Sequence, residues 1–186
     1  LKVLKEELAY REAKRKNRLI KQAGFYTLKT FEGYCFDEIR LPTGLSVADL
    51  KDATFISEKK NLILYGNVGT GKTHLATAIG IEACSQGKVV RFFRTAALVN
   101  QLSDAQKKGE LNQLLTKLSK AELLNCDEWG YVPLDRDGSK LLFQVISDCY
   151  EQRSVIITTN LEFSKWVNIF YDEQMTAAMI DRLVHH

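Results

Sequence analysis

The stretch "NLILYGNVGTGKTHLA", Asn61 to Ala76, constrains the fold more than any other part of the chain. A short apolar run leads into Gly66, Asn67, Val68, Gly69, Thr70, Gly71, Lys72, Thr73 and His74, and an Ala-rich stretch of helical composition follows. Glycines at 66, 69 and 71 let the backbone curl tightly and aim several N–H groups at one anion. A helix starting near Lys72 adds its N-terminal dipole. The spacing is that of a nucleotide-phosphate cradle: Lys72 is expected at the β and γ phosphates, and the Thr73 hydroxyl on Mg²⁺. Gly66–His74 is the expected nucleotide contact, with His74 packing within the cradle helix.

The rest of the chain repeats this strand-then-helix order. "NLILY", "KVVRFF", "ELLNCDE" and "RSVIITTN" read as strands, apolar or β-branched throughout. "KTHLATAIGIEACSQG" reads as a helix closed by Gly87, and "DGSKLLFQVISDCYEQ" as one starting near Asp137 or Ser139. "DEQMTAAMIDRLV" is a last helix. Leu98 and Leu102, then Leu111, Leu114, Leu115 and Leu118, place two helices between the second and third strands. Fully apolar strands alternating with helices imply a parallel sheet covered on both faces. The expected fold is α/β, a three-layer αβα P-loop NTPase, preceded by a basic helix and linker over residues 1–46.

Three further groups suit nucleotide chemistry. Asp127 ends an apolar strand expected beside the cradle, where a carboxylate can hold Mg²⁺ through water. Glu128 can orient or deprotonate an attacking water. Asn160, after "SVIITT", is placed to bond the γ-phosphate or that water. Asn125 interrupts the apolar run before Asp127, and a central-strand amide must find a hydrogen-bond partner. Arg182 is open to more than one reading: a finger offered to a neighbouring subunit, or else a surface arginine or a local partner of Asp181. A P-loop kinase would need several Arg closing over the nucleotide, and residues 130–140 offer only Arg136.

Charge separates the first segment from the rest. The 186 residues carry a net +3, yet residues 1–22 hold eight basic against three acidic side chains, leaving the remainder at −2. Lys14, Arg15, Lys16, Arg18 and Lys21 form the densest cluster, and read either as a solvated helix face or as a contact for a polyanion such as nucleic acid, with Lys107 and Lys108 as further candidates. Leu1, Leu4 and Leu8 share one stripe, so this helix reads as the tail of an N-terminal domain. Residues 24–46, aromatic and aperiodic, read as a linker wrapped onto the main domain. Cys35, Cys84, Cys126 and Cys149 form no C-x-x-C pair and read as small core residues of a reducing compartment. No apolar run approaches a membrane span, and a cytoplasmic location is expected.

The segments "GNVGTGKTHLA", "CDEWGYVPLD", "LLFQVISDCYEQRSVIITTN" and "AAMIDRLVHH" together resemble the IstB-like ATP-binding proteins, AAA+ ATPases that assist a transposase. This family is related to the DnaC and DnaI helicase loaders and the DnaA initiator. The resemblance spans roughly residues 15–186. It implies an AAA+ core over residues 47–186 and an ATP-dependent homo-oligomer that binds duplex DNA with little sequence preference and engages a partner transposase. It implies ATP and Mg²⁺ at Lys72, Thr73 and Asp127, catalysis by Glu128 and Asn160, and a trans-acting finger at Arg182. A replicative helicase loader is the alternative function on the same core.

Overall fold

The computed structural model describes residues 2–185; Leu1, expected on the apolar stripe of the first helix, and His186 lie outside the described residues. Four strands form, each on an apolar run of the sequence: β1 Leu62–Tyr65, β2 Val90–Arg94, β3 Leu123–Trp129 and β4 Ser154–Thr159. All neighbours are parallel, in the order β1-β4-β3-β2, with Leu62 opposite Ile156, Leu123 opposite Ser154 and Val90 opposite Leu123. This order corrects one expectation. The strand bearing Asp127 is not the neighbour of the cradle strand, because β4 lies between them.

Helices cover both faces. On one side lie α1 (Lys2–Ala23), α2 (Val47–Asp52) and α3 (Lys72–Ser85), packing Leu19, Leu50, Leu75 and Ile79 against Phe92, Leu123 and Ile156. On the other lie α4 (Thr95–Lys107), α5 (Leu111–Ser119), α6 (Arg136–Cys149), α7 (Val167–Phe170) and α8 (Glu173–Val184), packing Leu98, Leu142, Ile146 and Met179 against Leu124, Cys126 and Ile157. Alternation along β3 decides the allocation: Leu123, Asn125 and Asp127 share the α3 face, while Leu124 and Cys126 share the other. Asn125 accordingly donates to the Ala76 carbonyl at 3.1 Å; its buried Oδ1 finds no partner among the described residues.

Local signals set the helix ends. Gly87, at φ +82°, closes α3, with its N–H on the Cys84 carbonyl and that of Lys88 on Ala83. α6 starts earlier than expected: Asp135, not Asp137 or Ser139, is the cap, accepting from the Gly138 N–H at 2.6 Å. Helix α2 follows the linker directly. Ser46 and Asp49 there exchange side chain-to-backbone bonds at 2.8 and 3.1 Å, a capping box with Asp in the Glu position.

Residues 24–46 run across the α3 side. Phe25 meets Phe92 with ring centroids 5.4 Å apart, and Phe31, Tyr34, Phe36 and Ile39 are half-buried against the same core. A fully buried ring would contribute about 1.5–3 kcal/mol. Ordering the backbone costs about 1–2 kcal/mol per residue, so an aperiodic linker needs an apolar side chain every few positions to stay in place. Helix α1 is attached only by its last turns. Leu19 and Ala23 are buried, whereas Leu4 and Leu8, on the same face, are 65% and 59% exposed. All four cysteines are free thiols; Cys84, Cys126 and Cys149 are buried, while Cys35 is exposed. Burial pushes the Cys84 thiol up to about 11 and that of Cys149 to about 12. No helix among the described residues is long and apolar enough to cross a membrane.

Candidate nucleotide site

The loop after β1 leaves the sheet beside the end of β4, where the Gly66 N–H donates to the Thr159 carbonyl at 3.2 Å. Gly69 and Gly71 both take φ +82°, a left-handed conformation that side chains other than glycine rarely adopt. A Cβ on Gly69 would meet open space, so it is backbone conformation and not crowding that calls for glycine there. The ring of Tyr34 comes to 3.2 Å from where a Gly71 Cβ would sit, so the linker lies against the cradle. Lys72 Nζ donates to the carbonyls of Gly66 (2.8 Å) and Asn67 (2.6 Å), which holds the ammonium over the loop. Partial burial lowers its pKa, and the charge of Asp127 opposes that shift. Asn67, Val68 and Thr70 line the exposed outer turn, where Thr70 Oγ1 donates to the Asn67 carbonyl at 2.8 Å. His74 faces the linker: its Nε2 lies 2.7 Å from the Thr30 carbonyl and its ring 4.9 Å from that of Tyr34.

Asp127 reaches this loop although its strand is not adjacent. Helix α3 crosses β4 to lie over β3, and Thr73, in the first turn of α3, donates through Oγ1 to both carboxylate oxygens at 2.9 and 3.2 Å. Thr158 Oγ1 donates to the same carboxylate at 2.5 Å. Asp127 is only 2% exposed, and a buried carboxylate is tolerable only when its lone pairs are satisfied. Two hydroxyls beside a cationic loop meet that need. The set is all oxygen and hard, and it fits Mg²⁺; Thr73 and Asp127 are the residues that would hold it.

Glu128 is handled differently. The β3–β4 register shifts between Cys126 and Trp129, and Glu128 sits in the shift at φ +56°. A left-handed non-glycine residue costs on the order of 1–3 kcal/mol. Its N–H donates to Thr158 Oγ1 at 3.0 Å, so one hydroxyl serves both acids. The kink turns the Glu128 side chain outward, 41% exposed, with Oε2 3.5 Å from Arg94 Nε at the end of β2. The Arg94 guanidinium also stacks 4.4 Å from the centre of the Tyr26 ring, just after α1. Asn160 is exposed and follows Thr159, whose carbonyl holds Gly66, so it lies beside the start of the loop.

The carboxyl edge of the sheet thus gathers Gly66–Thr73, Asp127, Glu128 and Asn160. Arg182 is not among them. It lies in the last turn of α8, whose end is tied to Asn61 at the opposite edge, and its guanidinium packs 5.2 Å from the Phe143 ring centre. The basic cluster is elsewhere again. Lys14, Arg18 and Lys21 fall at i, i+4 and i+7, opposite the face of α1 that buries Leu19 and Ala23. Arg15 instead donates to the Gly87 carbonyl at 3.2 Å, tying α1 to the turn after α3, and Lys16 lies near enough to Cys84 for its charge to favour the thiolate. Lys107 and Lys108, at the end of α4, lie on the other face of the sheet.

Sequence reasoning missed the roles of Thr158, Arg94 and Tyr34. A threonine two residues before Asn160 and an arginine ending a strand were the available signals, and neither is specific.

A parallel β1-β4-β3-β2 sheet with a glycine cradle after β1 and an acid pair near the end of β3 has the fold of the AAA+ class of P-loop NTPases. Solved structures agree on the fold. AMPPCP-bound DnaA from Aquifex aeolicus superposes with a TM-score of 0.69 at 21% identity, covering 84% of this chain and 48% of that one. The DnaC helicase loader does so at 0.56 and 25% identity, covering 86% and 88%. Residues 1–186 match the model of the IstB-like ATP binding protein family, and the chain belongs to that family. An insertion-sequence ATP-binding protein of Sinorhizobium fredii is 37% identical over 185 residues, and that of IS5376 from Geobacillus stearothermophilus is 36% identical over 185 residues. These matches take in 99% and 100% of this chain but 62% and 74% of the relatives' length.

Proposed function

We propose that residues 47–186 are the ATPase core of an insertion-sequence helper that hydrolyses ATP as a homo-oligomer, binds duplex DNA and engages a transposase. Residues 1–46 are then a basic helix and linker, the tail of an N-terminal domain. The observation that carries the catalytic part is the contact between Thr73 and Asp127, 54 residues apart, at 2.9 Å beside Lys72.

In this reading, the N–H groups of Gly66–Thr73 and the Lys72 ammonium bind the β and γ phosphates. Mg²⁺, when held by Thr73 and Asp127, offsets phosphate charge. The Glu128 carboxylate takes a proton from water as the water oxygen bonds to the γ-phosphorus. The bond from phosphorus to the β–γ bridging oxygen breaks, and ADP leaves with that electron pair. Asn160 orients the water or the γ-phosphate. Arg182 comes from a neighbouring copy and offsets charge in the transition state. Its distance from its own cradle supports that assignment over a role within one subunit. Lys14, Arg18 and Lys21, repeated around an oligomer, meet the duplex backbone by avidity.

Phosphate release measured without any added acceptor, with and without random duplex DNA, tests the whole. Hydrolysis stimulated by duplex is the expected result. Turnover only with a small-molecule acceptor would overturn it. The likeness to DnaC favours a second reading, a helicase loader on the same core; capture of a replicative helicase instead of a transposase in a pull-down would establish it.

A further inference from the structure

Asn61 immediately precedes β1, at the edge of the sheet away from the cradle. Its side chain uses both ends. Oδ1 accepts from the Val155 N–H at 2.9 Å, standing in for a ladder partner just before the Leu62–Ile156 pair. Nδ2 donates to the carbonyls of Arg182 and Leu183 at 3.4 and 3.3 Å, a long bond shared between the two. The last carbonyls of a helix have no partner within it and normally turn to water or a cap. Here the end of α8 is capped by a side chain more than a hundred residues away. The Arg182 side chain is then steered from its own helix, with Nη1 3.4 Å from the Ala178 carbonyl and the guanidinium against Phe143 of α6.

We propose that Asn61 is a positioning residue for Arg182, fixing the arginine that one subunit offers to its neighbour's nucleotide. The proposal rests on the reading of Arg182 as a trans-acting finger. It adds a direct route from a subunit's own cradle to that finger, through strand β1 and the hydrogen bonds of one side chain. Asn61 continues into β1, about 13 Å of strand at 3.3 Å per residue, which ends at Tyr65, next to Gly66 of the cradle. A change at the cradle of one copy therefore reaches the arginine it presents to the next. Among side chains of this size, only an amide donates to α8 and accepts from β4 at once. Aspartate would keep the Val155 bond, lose the donor and set a carboxylate against two carbonyls.

The experiment compares Asn61→Asp with wild type in the full chain. Nucleotide affinity, read by calorimetry, is expected to stay within about twofold, since the cradle is untouched. Phosphate release is expected to fall about 10- to 100-fold, the scale of misplacing a catalytic group by an ångström. Mixing then assigns the defect. Asn61→Asp mixed with Lys72→Ala should recover activity, because Lys72→Ala subunits lend a well-placed arginine to intact cradles. Asn61→Asp mixed with Arg182→Ala should not recover, because neither partner supplies one. If Asn61→Asp does not fold, Asn61→Ser, whose single hydroxyl is too short to reach both α8 and β4 and adds no charge, replaces it with the same outcomes expected.

A separate mixture of Lys72→Ala with Arg182→Ala tests the underlying reading. No recovery there, or no co-assembly by light scattering, sinks the trans-acting finger itself. Recovery there, combined with a wild-type rate for Asn61→Asp, overturns the role of Asn61 alone. So does loss of its nucleotide affinity in step with turnover, or rescue of Asn61→Asp by Arg182→Ala.

Discussion

The carboxyl edge of the sheet and helix α1 both carry positive charge suited to phosphate, and they hold it in opposite ways. At the edge, Lys72 is fixed by two carbonyls, Asp127 by two hydroxyls, and the loop by a bond to β4. Along α1, Lys14, Arg18 and Lys21 stand in solvent on a helix anchored only near Leu19 and Ala23. A single phosphate chain needs a few donors set in advance, because each contact must hold without help. A duplex offers a repeating charge, so loosely held cations suffice once several copies act together. The two regions should therefore respond to mutation with different magnitudes and different salt dependence.

The largest effect is expected at the edge. Lys72→Ala should abolish ATP binding, since its ammonium is the one held over the loop by the loop's own carbonyls; a calorimetric titration reads this directly. Unchanged affinity would place the phosphates elsewhere. Glu128→Gln should keep binding and reduce turnover by about 100- to 10,000-fold, the usual scale for a general base. Equal loss of both would mean that the left-handed kink, not the carboxylate, is what Glu128 supplies.

Thr158→Val sharpens the contrast between preset and loose contacts. The change keeps the shape but removes one donor from a buried carboxylate and the acceptor of the Glu128 N–H. The expected cost is about 1–3 kcal/mol of stability, read as a lowered melting midpoint. A midpoint equal to wild type would show that Asp127 is solvated well enough without it.

The smallest effects belong to α1. Changing Lys14, Arg18 and Lys21 together to Gln should leave ATP affinity and the melting midpoint unaltered. It should make the slope of log duplex affinity against log salt shallower by about 0.9 for each phosphate that is no longer neutralised. Arg15→Gln, by contrast, should lower stability slightly by untying α1 from the turn after α3 and leave that slope unchanged. Fluorescence anisotropy across a salt series separates the two. Equal slopes for the triple variant and the wild type would move the duplex surface off α1.

The sequence by itself determined the features that depend on local backbone geometry and periodicity. The glycine spacing of 66, 69 and 71, the helix stop at Gly87 and the four apolar strands were all legible, because each is specified within about ten residues. So were the acids near the end of β3, since they close an apolar run, although only the packing of α3 decided which face Asp127 serves. Only the tertiary structure decided the order of the strands, with β4 between β1 and β3, and the crossing of α3 that still joins Thr73 to Asp127. It alone paired Thr158 with both acids, turned His74 toward the linker and Arg15 toward Gly87, and tied Asn61 to the end of α8. These contacts join residues 30 to 122 positions apart through single side-chain bonds. A lone threonine, arginine or asparagine leaves no periodic trace in sequence, so its partner is set only when the packed sheet and helices bring the two chain segments together.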